Sequence, residues 1–512
     1  MTLSFLLTLF AGLLHAASIA TPWDSQPAGW LQLIALAMLA WRLDRTHSPK
    51  LGGLHGWVFA SAWLTGTFWW LFVALHTYGG LAASLAVVAV VTLAALLALY
   101  YGAASWVFVR LKGTSPWSSA LLFAALWMLA ELARGVWFTG FGWGAAGYAH
   151  VDGLGRSASY VGAYGLAALA ALIAYLIAAW AQSPLKTRNL ASLCGAAGIS
   201  AVLLWAPVVP TTATSMLDVA LLQGNIAQDE KFEAGTGVAD SLRWYGEQLG
   251  SATATLVVAP ETAIPLLPQQ LPPGYWAALQ EHFRAGKQAA LVGVPWGDSV
   301  QGYTNAVAGF KPTEPTLAAG AGYRYDKHHL VPFGEFIPPL FRWFTDLMSI
   351  PLGDFRRGAV GQPSFEWRGE RLAPNICYED LFGEELAARF IDPAQAPTIF
   401  VNVSNIGWFG KTLAIDQHLQ ISRMRSLEFG RPFIRATNTG DTVIIDQNAR
   451  VTHALERHTR GVLLGTVQGR AGITPFAWWA SRYGLWPLWL SGSLVVVLFA
   501  MRRRVGARWE AP

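Results

Sequence analysis

Cysteine and charge are both scarce in this sequence. Only Cys194 and Cys377 occur among its 512 residues, and 13% of the residues are charged, about half of the ~25% typical of soluble domains. Two cysteines do not make a disulfide framework, and no Cys/His spacing suits zinc. Together with 53% hydrophobic residues, the low charge excludes a disordered chain, a coiled coil and an ordinary cytosolic enzyme.

Long apolar runs separate the 13 charged side chains of residues 1–214. A helix needs about 18–20 apolar residues to cross a bilayer. We therefore predict seven transmembrane helices in 1–214, a soluble domain over 215–480, and an eighth span with a basic tail over 481–512. The first run lacks the positively charged start of a signal peptide, so we expect it to remain as a span. The predicted spans are approximately 2–20, 28–41, 57–76, 81–108, 117–138, 158–182, 190–209 and 484–501.

The basic residues are distributed as this topology requires. Alternate loops and the C-terminal tail carry a net charge of +9, the other short loops and spans carry −1, and residues 215–501 carry −3, which together give the +5 of the whole chain. Because Lys and Arg concentrate on the cytoplasmic side of membrane proteins, we predict cytoplasmic termini and a soluble domain on the exported side. The exported domain has no basic excess, so nucleic-acid binding is not expected.

Short β-rich runs alternate with helical segments in 215–480. Several runs are continuously apolar, which favours sheets buried on both faces and a layered α/β domain with helices outside. The sequence has no P-loop and no G-x-S-x-G elbow. The predicted strands are Val219–Leu222, Thr255–Ala259, Ala289–Val294, Ala306–Phe310, Tyr323–Leu330, Leu372–Ile376, Thr398–Val403, Phe433–Thr437 and Thr442–Asp446, and the predicted helices are Ala239–Leu249, Gly274–Arg284, Gly383–Arg389 and Ile415–Phe429.

Three predicted strand ends carry reactive side chains: Glu261, Lys327 and Cys377. Taken singly, each has an ordinary explanation, since a lone cysteine is usually a small core residue and Glu or Lys after a strand is usually exposed. Together they are complementary. A thiol nucleophile needs a base, here Glu261, and its tetrahedral intermediate needs a cation and an N–H, here Lys327 and the Tyr378 amide. We also expect the cation to lower the pKa of the thiol.

These residues, within Pro260-Glu261, the Lys327 segment and Ile376–Glu379, resemble the Glu-Lys-Cys triad of the nitrilase superfamily. The stretches Lys327–Phe336 and Ser404–Gly410, with eight flanking spans, further resemble the apolipoprotein N-acyltransferases over essentially the whole chain. The resemblance implies a helical polytopic membrane domain of about eight transmembrane helices and an αββα sandwich that acts through a thioester.

The resemblance also implies the substrates. The acyl donor is expected to be a phospholipid, phosphatidylethanolamine in particular, and the acceptor the α-amine of an N-terminal diacylglyceryl-cysteine on an apolipoprotein. The enzyme is expected to be a monomer in the bacterial inner membrane with its catalytic domain in the periplasm. No cofactor and no metal are expected. The adjacent His328 and His329 would point to opposite faces of a strand, which is poor geometry for a metal.

Further site residues are predicted with less specific signals. Glu335, Tyr378 and Glu379 are expected to support the triad. The ordinary alternative for Glu335 is an ion pair at the end of a strand, and that for Glu379 is a plain cap of the turn. Tentative substrate contacts are Trp143, Phe232, Asn405 and Trp408. Trp143 alternatively belongs to the aromatic belt at the lipid interface. Phe232 and Ile406 depart from the family pattern, which usually has Trp and Asp at these positions.

Two other features have alternative interpretations. Glu131 and Arg134 are spaced i, i+3 on one helical face. They are interpreted either as a structural pair inside the membrane or as part of the path by which substrate enters. The segment 340–355 is apolar and irregular. It is interpreted either as a lid over the site or as a loop that packs in the core. Two competing functions remain: a membrane-tethered amidase with the same triad, and a transporter or receptor with an exported binding domain.

Overall fold

A computed structural model describes residues 2–182, 186–298, 300, 302–312, 322–337 and 355–509. The chain divides into two compact units. The helical unit comprises Met1–Leu71, Ser84–Val208 and Tyr483–Pro512, and the sandwich unit comprises Phe72–Ala83 and Val209–Arg482. The α-helices are α1 Thr2–Ala16, α2 Gly29–Asp44, α3 Pro49–Phe68, α4 Ala83–Leu97, α5 Leu99–Leu111, α6 Pro116–Val136, α7 Ala158–Gln182, α8 Thr187–Leu204, α9 Gly237–Ser251, α10 Tyr275–Ala285, α11 Gly383–Ala387, α12 Ala414–Phe429, α13 Pro475–Tyr483 and α14 Trp486–Trp509.

Within the part of the chain that the structure describes, three helical stretches are long and apolar enough to cross a membrane, by length and composition: Ala83–Leu111, Pro116–Thr139 and Leu154–Gln182. A fourth is reached if α13 and α14, which meet at a bend of 87°, count as one span. The apolar helices Leu3–Ala16 and Asn189–Leu204 are shorter. The prediction of membrane-spanning helices is therefore confirmed for part of the chain, and the number eight is not.

Buried charge holds an irregular connection together in the helical unit. Glu131, on α6, accepts hydrogen bonds from the Trp127 indole (3.0 Å) and from the Ala146 N–H (2.9 Å). Arg134, one turn later, donates to the Phe141 and Trp143 carbonyls at 2.6 and 2.7 Å. These carbonyls and this N–H belong to the non-helical stretch between α6 and α7, where buried backbone groups need partners. Both side chains therefore have a structural role here.

The sandwich unit contains two six-stranded sheets, of order β12-β1-β2-β3-β4-β5 and β11-β10-β9-β8-β7-β6. Strands β1 to β3 are parallel in the first sheet, as are β7 to β9 in the second. The strands are β1 Thr212–Gln223, β2 Leu256–Ala259, β3 Ala289–Asp298, β4 Gly302–Phe310, β5 Tyr323–Asp326, β6 Phe365–Trp367, β7 Glu370–Ile376, β8 Ile399–Ser404, β9 Phe433–Thr437, β10 Val443–Ile445, β11 Val451–Ala454 and β12 Gly461–Ala471.

The two sheets face each other across an apolar core and are covered by helices on their outer faces. Leu221 and Val258 of the first sheet share the inner core with Ile376 and Val401 of the second. Side chains of α9 and α10 pack on the outer face of the first sheet, and α12 and α13 pack on that of the second. Because each sheet is buried on both faces, its central strands are continuously apolar. The layered α/β prediction is confirmed.

Three strands were not predicted, and one was predicted too long. The strands β6, β11 and β12 have partly exposed residues, so hydrophobicity alone does not mark them. The predicted strand Tyr323–Leu330 ends at Asp326. It ends there because the N–H groups of His328 and His329 bond to the Glu379 carboxylate, at 2.7 and 3.1 Å, instead of to a neighbouring strand.

A short segment inside the predicted membrane region groups with the sandwich. The third predicted span, 57–76, ends as an α-helix at Phe68, and a π-helical turn follows at Val73–Tyr78. The Tyr78 ring meets Trp408 edge-on with ring centroids 5.7 Å apart. Phe72–Ala83 groups by its contacts with the sandwich unit.

Candidate active site

The three predicted reactive residues follow three strands of the sandwich. Glu261 follows β2 and Lys327 follows β5 in the first sheet, while Cys377 follows β7 in the second. Cys377 has a φ of +55° and begins a 3-10 turn, Cys377–Leu381. A left-handed backbone is costly for a non-glycine residue, and such conformations cluster at functional sites. The turn leaves the thiol half-buried.

Glu261 is held by three donors. One carboxylate oxygen accepts from the Asn305 amide at 2.7 Å and from the Lys327 ammonium at 3.3 Å. The other oxygen accepts from the Asn405 N–H at 2.9 Å. The backbone around it lies against Gly293, where a Cβ atom would stand 2.2 Å from the Pro260 carbonyl oxygen. Glycine at 293 is therefore required for β3 to approach the turn that carries Glu261.

Lys327 joins two carboxylates at the centre of the site. Its buried ammonium lies 2.8 Å from Glu335 and 3.3 Å from Glu261. Burial acts to lower the pKa of Lys327, but the charges of Glu261, Glu335 and Cys377 outweigh it and hold this pKa well above its usual value. The lysine is therefore a permanent cation and cannot act as a base near neutral pH.

Lys327 acts on the Cys377 thiol in the expected direction, but larger effects oppose it. Burial, reinforced by the negative charge of Glu261, raises the thiol pKa to about 12, although Lys327 acts to lower it. The expected effect of the cation is therefore present, and burial outweighs it. The thiol is neutral at rest, so any reaction of this sulfur as a nucleophile requires a base to remove its proton.

Glu379 connects the nucleophile turn to the lysine segment. Its carboxylate accepts from the Ile376 N–H at 2.7 Å and the Tyr325 hydroxyl at 2.8 Å, besides the two N–H groups at 328 and 329. Burial raises the Glu379 pKa, against the lowering effect of the Ile376 N–H and Lys327. One buried carboxylate thus holds both the backbone that precedes Cys377 and the backbone that follows Lys327.

Tyr378 and Asn405 are used within the protein through their side chains. The Tyr378 hydroxyl donates to the Leu330 carbonyl at 2.6 Å. The Asn405 amide donates to Gln228 at 2.7 Å and accepts from Asn438 at 3.2 Å. The Asn405 side chain therefore has partners within the protein, its backbone N–H reaches Glu261, and its assignment to substrate stays a prediction.

The remaining tentative contacts differ in exposure. Phe232 is 47% exposed, and Trp408 is partly exposed beside Tyr78, so both have surface for an apolar ligand. Ile406 is buried at 1% exposure. Trp143, in the helical unit, is only 3% exposed and packs on Trp70 with ring centroids 5.0 Å apart. The Trp143 ring therefore contacts protein, and its assignments to substrate and to the lipid interface stay predictions.

Three polar residues around the triad were not predicted. Asn305 donates from one amide nitrogen to both Glu261 and Glu335, at 2.7 and 2.8 Å. Asn402 donates to the Cys377 carbonyl at 2.8 Å, and the buried Lys231 donates to the Glu261 carbonyl at 3.0 Å. For both asparagines, the signal that could have predicted a site role was a polar residue within an apolar strand. This signal was not seen at Asn305, because the predicted strand began just after it.

The proposed lid lies mostly outside the described residues. Of 340–355, only Phe355 is described, and its N–H donates to the Glu335 carbonyl at 3.0 Å. Among the described residues, no group of three or more His, Cys, Asp or Glu side chains is arranged to hold a metal ion. His329 instead lies 2.9 Å from Glu385 and stacks on Phe382.

Known proteins resemble this chain over nearly its full length. Residues 11–176 match the apolipoprotein N-acyltransferase N-terminal domain, and residues 218–475 match the carbon-nitrogen hydrolase family. A protein of Verminephrobacter eiseniae named apolipoprotein N-acyltransferase is 58% identical over 499 residues, which cover 93% of this chain and 92% of that protein. A protein of Ralstonia nicotianae with the same name is 43% identical over 489 residues, with coverage of 93% and 90%.

Solved structures show a weaker similarity. A Nesterenkonia amidase from the nitrilase superfamily has 15% sequence identity and a TM-score of 0.37, covering 55% of this chain and 100% of that one. The family assignment does not depend on it, because the full-length relatives are far more similar in sequence.

Proposed function

The chain belongs to the apolipoprotein N-acyltransferase family, and we propose that it transfers an acyl chain from a phospholipid to the N-terminal amine of a diacylglyceryl-apolipoprotein. The transfer is a ping-pong reaction through a thioester on Cys377. The observation that carries the proposal is the buried network in which Lys327 contacts both Glu261 and Glu335 while all three act electrostatically on the Cys377 thiol.

In the first half-reaction, Cys377 attacks the carbonyl carbon of a phospholipid ester. Because its thiol is protonated at rest, Glu261 takes the proton as the carbon–sulfur bond forms. The ester carbon–oxygen bond then breaks, and Glu261 returns the proton to the departing lysophospholipid oxygen. The product of this step is a neutral acyl thioester.

The oxyanion of the tetrahedral intermediate needs positive charge from groups that are already in place. Lys327 meets this requirement because it stays charged and is fixed by two carboxylates. We propose the backbone N–H of Tyr378 as the second donor. Glu379 and Asn402 hold the turn that presents this N–H, so their role is positioning.

In the second half-reaction, the α-amine of the diacylglyceryl-cysteine attacks the thioester. Glu261 removes a proton from the amine as the carbon–nitrogen bond forms, and the carbon–sulfur bond breaks. The proton then returns to Cys377, which restores the resting thiol. The products are the N-acylated lipoprotein and free enzyme, and this cycle needs no cofactor.

The membrane arrangement is also part of the proposal. Eight spans, cytoplasmic termini and a periplasmic sandwich unit in the inner membrane are supported by the positive charges of alternate loops. We propose a monomer that uses phosphatidylethanolamine. Lifting an acyl chain into water costs about 0.8 kcal/mol per CH₂, so the donor chain is expected to reach Cys377 without leaving an apolar environment.

Mass spectrometry of the acyl-enzyme tests this function. Purified protein is incubated with phosphatidylethanolamine vesicles, digested, and searched for an acyl group on the peptide that contains Cys377. We expect a thioester that persists in water and disappears when a diacylglyceryl-cysteine peptide is added, with N-acyl peptide as product. Cys377→Ser provides the matched control without a thioester.

Two other outcomes would contradict the proposal. Rapid release of free fatty acid without an acceptor would favour the amidase, which transfers the acyl group to water. Absence of any Cys377 adduct, with unchanged lipoprotein maturation by Cys377→Ser, would favour a transporter or receptor.

A further inference from the structure

A second lysine lies beside the triad and is not used in the reaction described above. Lys231 sits in the loop that follows β1, and its side chain is 1% exposed. Its ammonium donates to the main-chain carbonyl of Glu261 at 3.0 Å. Burying a lysine is costly unless its charge is compensated, so its presence at this position needs a physical reason.

The first reason is the conformation of the turn that carries Glu261. The next residue, Thr262, has a φ of +47°, which is unfavourable for a β-branched side chain. The hydrogen bond from Lys231 fixes the peptide group between these two residues. From the same loop, Gln228 bonds to Asn405, whose N–H binds the Glu261 carboxylate. The loop therefore holds Glu261 through its backbone and through its side chain.

The second reason is the charge balance of the buried site. Glu261, Glu335 and Lys327 contact one another directly and carry a formal charge of −1 when all three are ionised. Lys231 brings this sum to zero. Burial lowers the pKa of Lys231 to about 8, while the charges of Glu261 and Cys377 act to raise it. The lysine therefore interacts electrostatically with both partners of the first proton transfer.

We propose that Lys231 is a positioning residue for acyl transfer, which fixes the peptide of Glu261 and supplies the second positive charge that keeps this base ionised. The inference rests on the proposed function of Glu261 as the base. A nearby cation stabilises the ionised form of a carboxylate, so removal of Lys231 takes this stabilisation away from Glu261. Since the ionised form is the active base, the acidic limb of the pH–rate profile then moves to higher pH.

The test compares Lys231→Met and Lys231→Gln in the full-length protein. Met keeps the length of the apolar stem and removes both donor and charge, whereas Gln keeps a donor and removes the charge. Lys287→Met, at an exposed position of the same unit, is the matched control. Thioester formation from phosphatidylethanolamine vesicles is followed between pH 5 and 9, and alkylation of Cys377 by iodoacetamide is measured in parallel without any acyl donor.

We expect Lys231→Met to lower kcat about 100-fold, as a misplaced catalytic group does, with little change in the KM for phospholipid. Its acidic limb should move up by about one pH unit, and Cys377 alkylation should slow about tenfold. Lys231→Gln should show the same shift of the limb with a smaller loss of kcat. If the Met variant fails to fold, the Gln profile decides.

The inference would be overturned if the acidic limb of the pH–rate profile in folded Lys231→Met or Lys231→Gln lay at the same pH as in the wild type. A change confined to the KM for phospholipid would also overturn it. Failure of the proposed function looks different, because wild type would then form no thioester. In that case slower Cys377 alkylation in Lys231→Met would still support the electrostatic role, and unchanged alkylation would refute it.

Discussion

The helical unit and the sandwich unit both bury charged side chains, but these side chains have different partners. In the helical unit, Glu131 and Arg134 bind backbone groups and aromatic side chains around an irregular connection. In the sandwich unit, Glu261 and Lys327 bind each other and act on a half-buried thiol. The same residue types therefore bind the backbone in one unit and change the electrostatics of a thiol in the other.

The two sets of buried charges differ in which groups they act on. A buried charge whose partners are carbonyl and N–H groups of its own chain is satisfied, and its loss leaves those groups without partners. In the network around Cys377, each carboxylate and cation changes the proton affinity of a nucleophile.

The largest expected effect is loss of the nucleophile or of the base. Cys377→Ala and Glu261→Gln should each reduce acyl transfer by about 10⁴-fold or more, as removal of comparable catalytic residues does, without preventing folding. Transfer to a diacylglyceryl-cysteine peptide is the measurement, and Cys194→Ser is the control that should keep its activity. Substantial transfer by Cys377→Ala would refute the thioester mechanism.

The next largest effect concerns Glu379, a charge in the sandwich unit that binds backbone as Arg134 does in the helical unit. Glu379→Gln should lower kcat about 100-fold, because the turn at Cys377 shifts, and should cost about 2 kcal/mol of unfolding free energy. Both quantities should stay at wild-type values in Glu366→Gln, at an exposed position. A stability loss with full activity would show that the turn keeps its geometry without this carboxylate.

A smaller effect on chemistry is expected in the helical unit. Arg134→Met should lower the free energy of unfolding by about 3 kcal/mol, because the Phe141 and Trp143 carbonyls lose their donor. The rate at which iodoacetamide alkylates Cys377 in the folded protein should not change. Denaturant titration in micelles measures the stability, with Arg156→Met at an exposed position as control. Unchanged stability with abolished alkylation would overturn the comparison between the units.

The smallest effect is expected at the aromatic contact between Tyr78 and Trp408. Trp408→Ala should raise the KM for phospholipid about 2- to 10-fold, which corresponds to loss of one aromatic pair, and should leave kcat unchanged. Tyr78→Phe keeps the ring and should behave as wild type. Steady-state kinetics on phosphatidylethanolamine vesicles separate the two constants, and a fall in kcat instead would place Trp408 in the chemical step.

Much of the sandwich was predictable because its central strands are buried on both faces. Their apolar runs marked β2, β3, β7 and β8, and reactive side chains at their ends marked the candidate site. The edge strand β12 lacked that signal. Asn305 was missed for a related reason. It is a polar residue just before an apolar run, so the strand was predicted to begin after it, whereas Asn305 is buried within β4.

Other features depended on neighbours that are distant in sequence. Trp143 and Asn405 were proposed as tentative substrate contacts. In the fold, Trp143 packs on Trp70, and the Asn405 side chain binds Gln228 and Asn438. Lys327 does act to lower the thiol pKa, as expected, but burial and the charge of Glu261 outweigh it. Both of these opposing effects arise from packing that brings distant segments together.

The apolar and charge-rich regions, the layered α/β class and the family were predictable from the sequence, and the three reactive side chains were chosen from it. Hydrophobic periodicity, charge distribution and short motifs are local properties and can be read along one chain. The contacts between charges, the neutral Cys377 thiol and the position of Lys231 beside Glu261 became visible in the fold. Electrostatic energy depends on distance and burial in space. Residues 231, 261 and 327 follow strands of the first sheet and meet residue 377 of the second sheet because the two sheets pack.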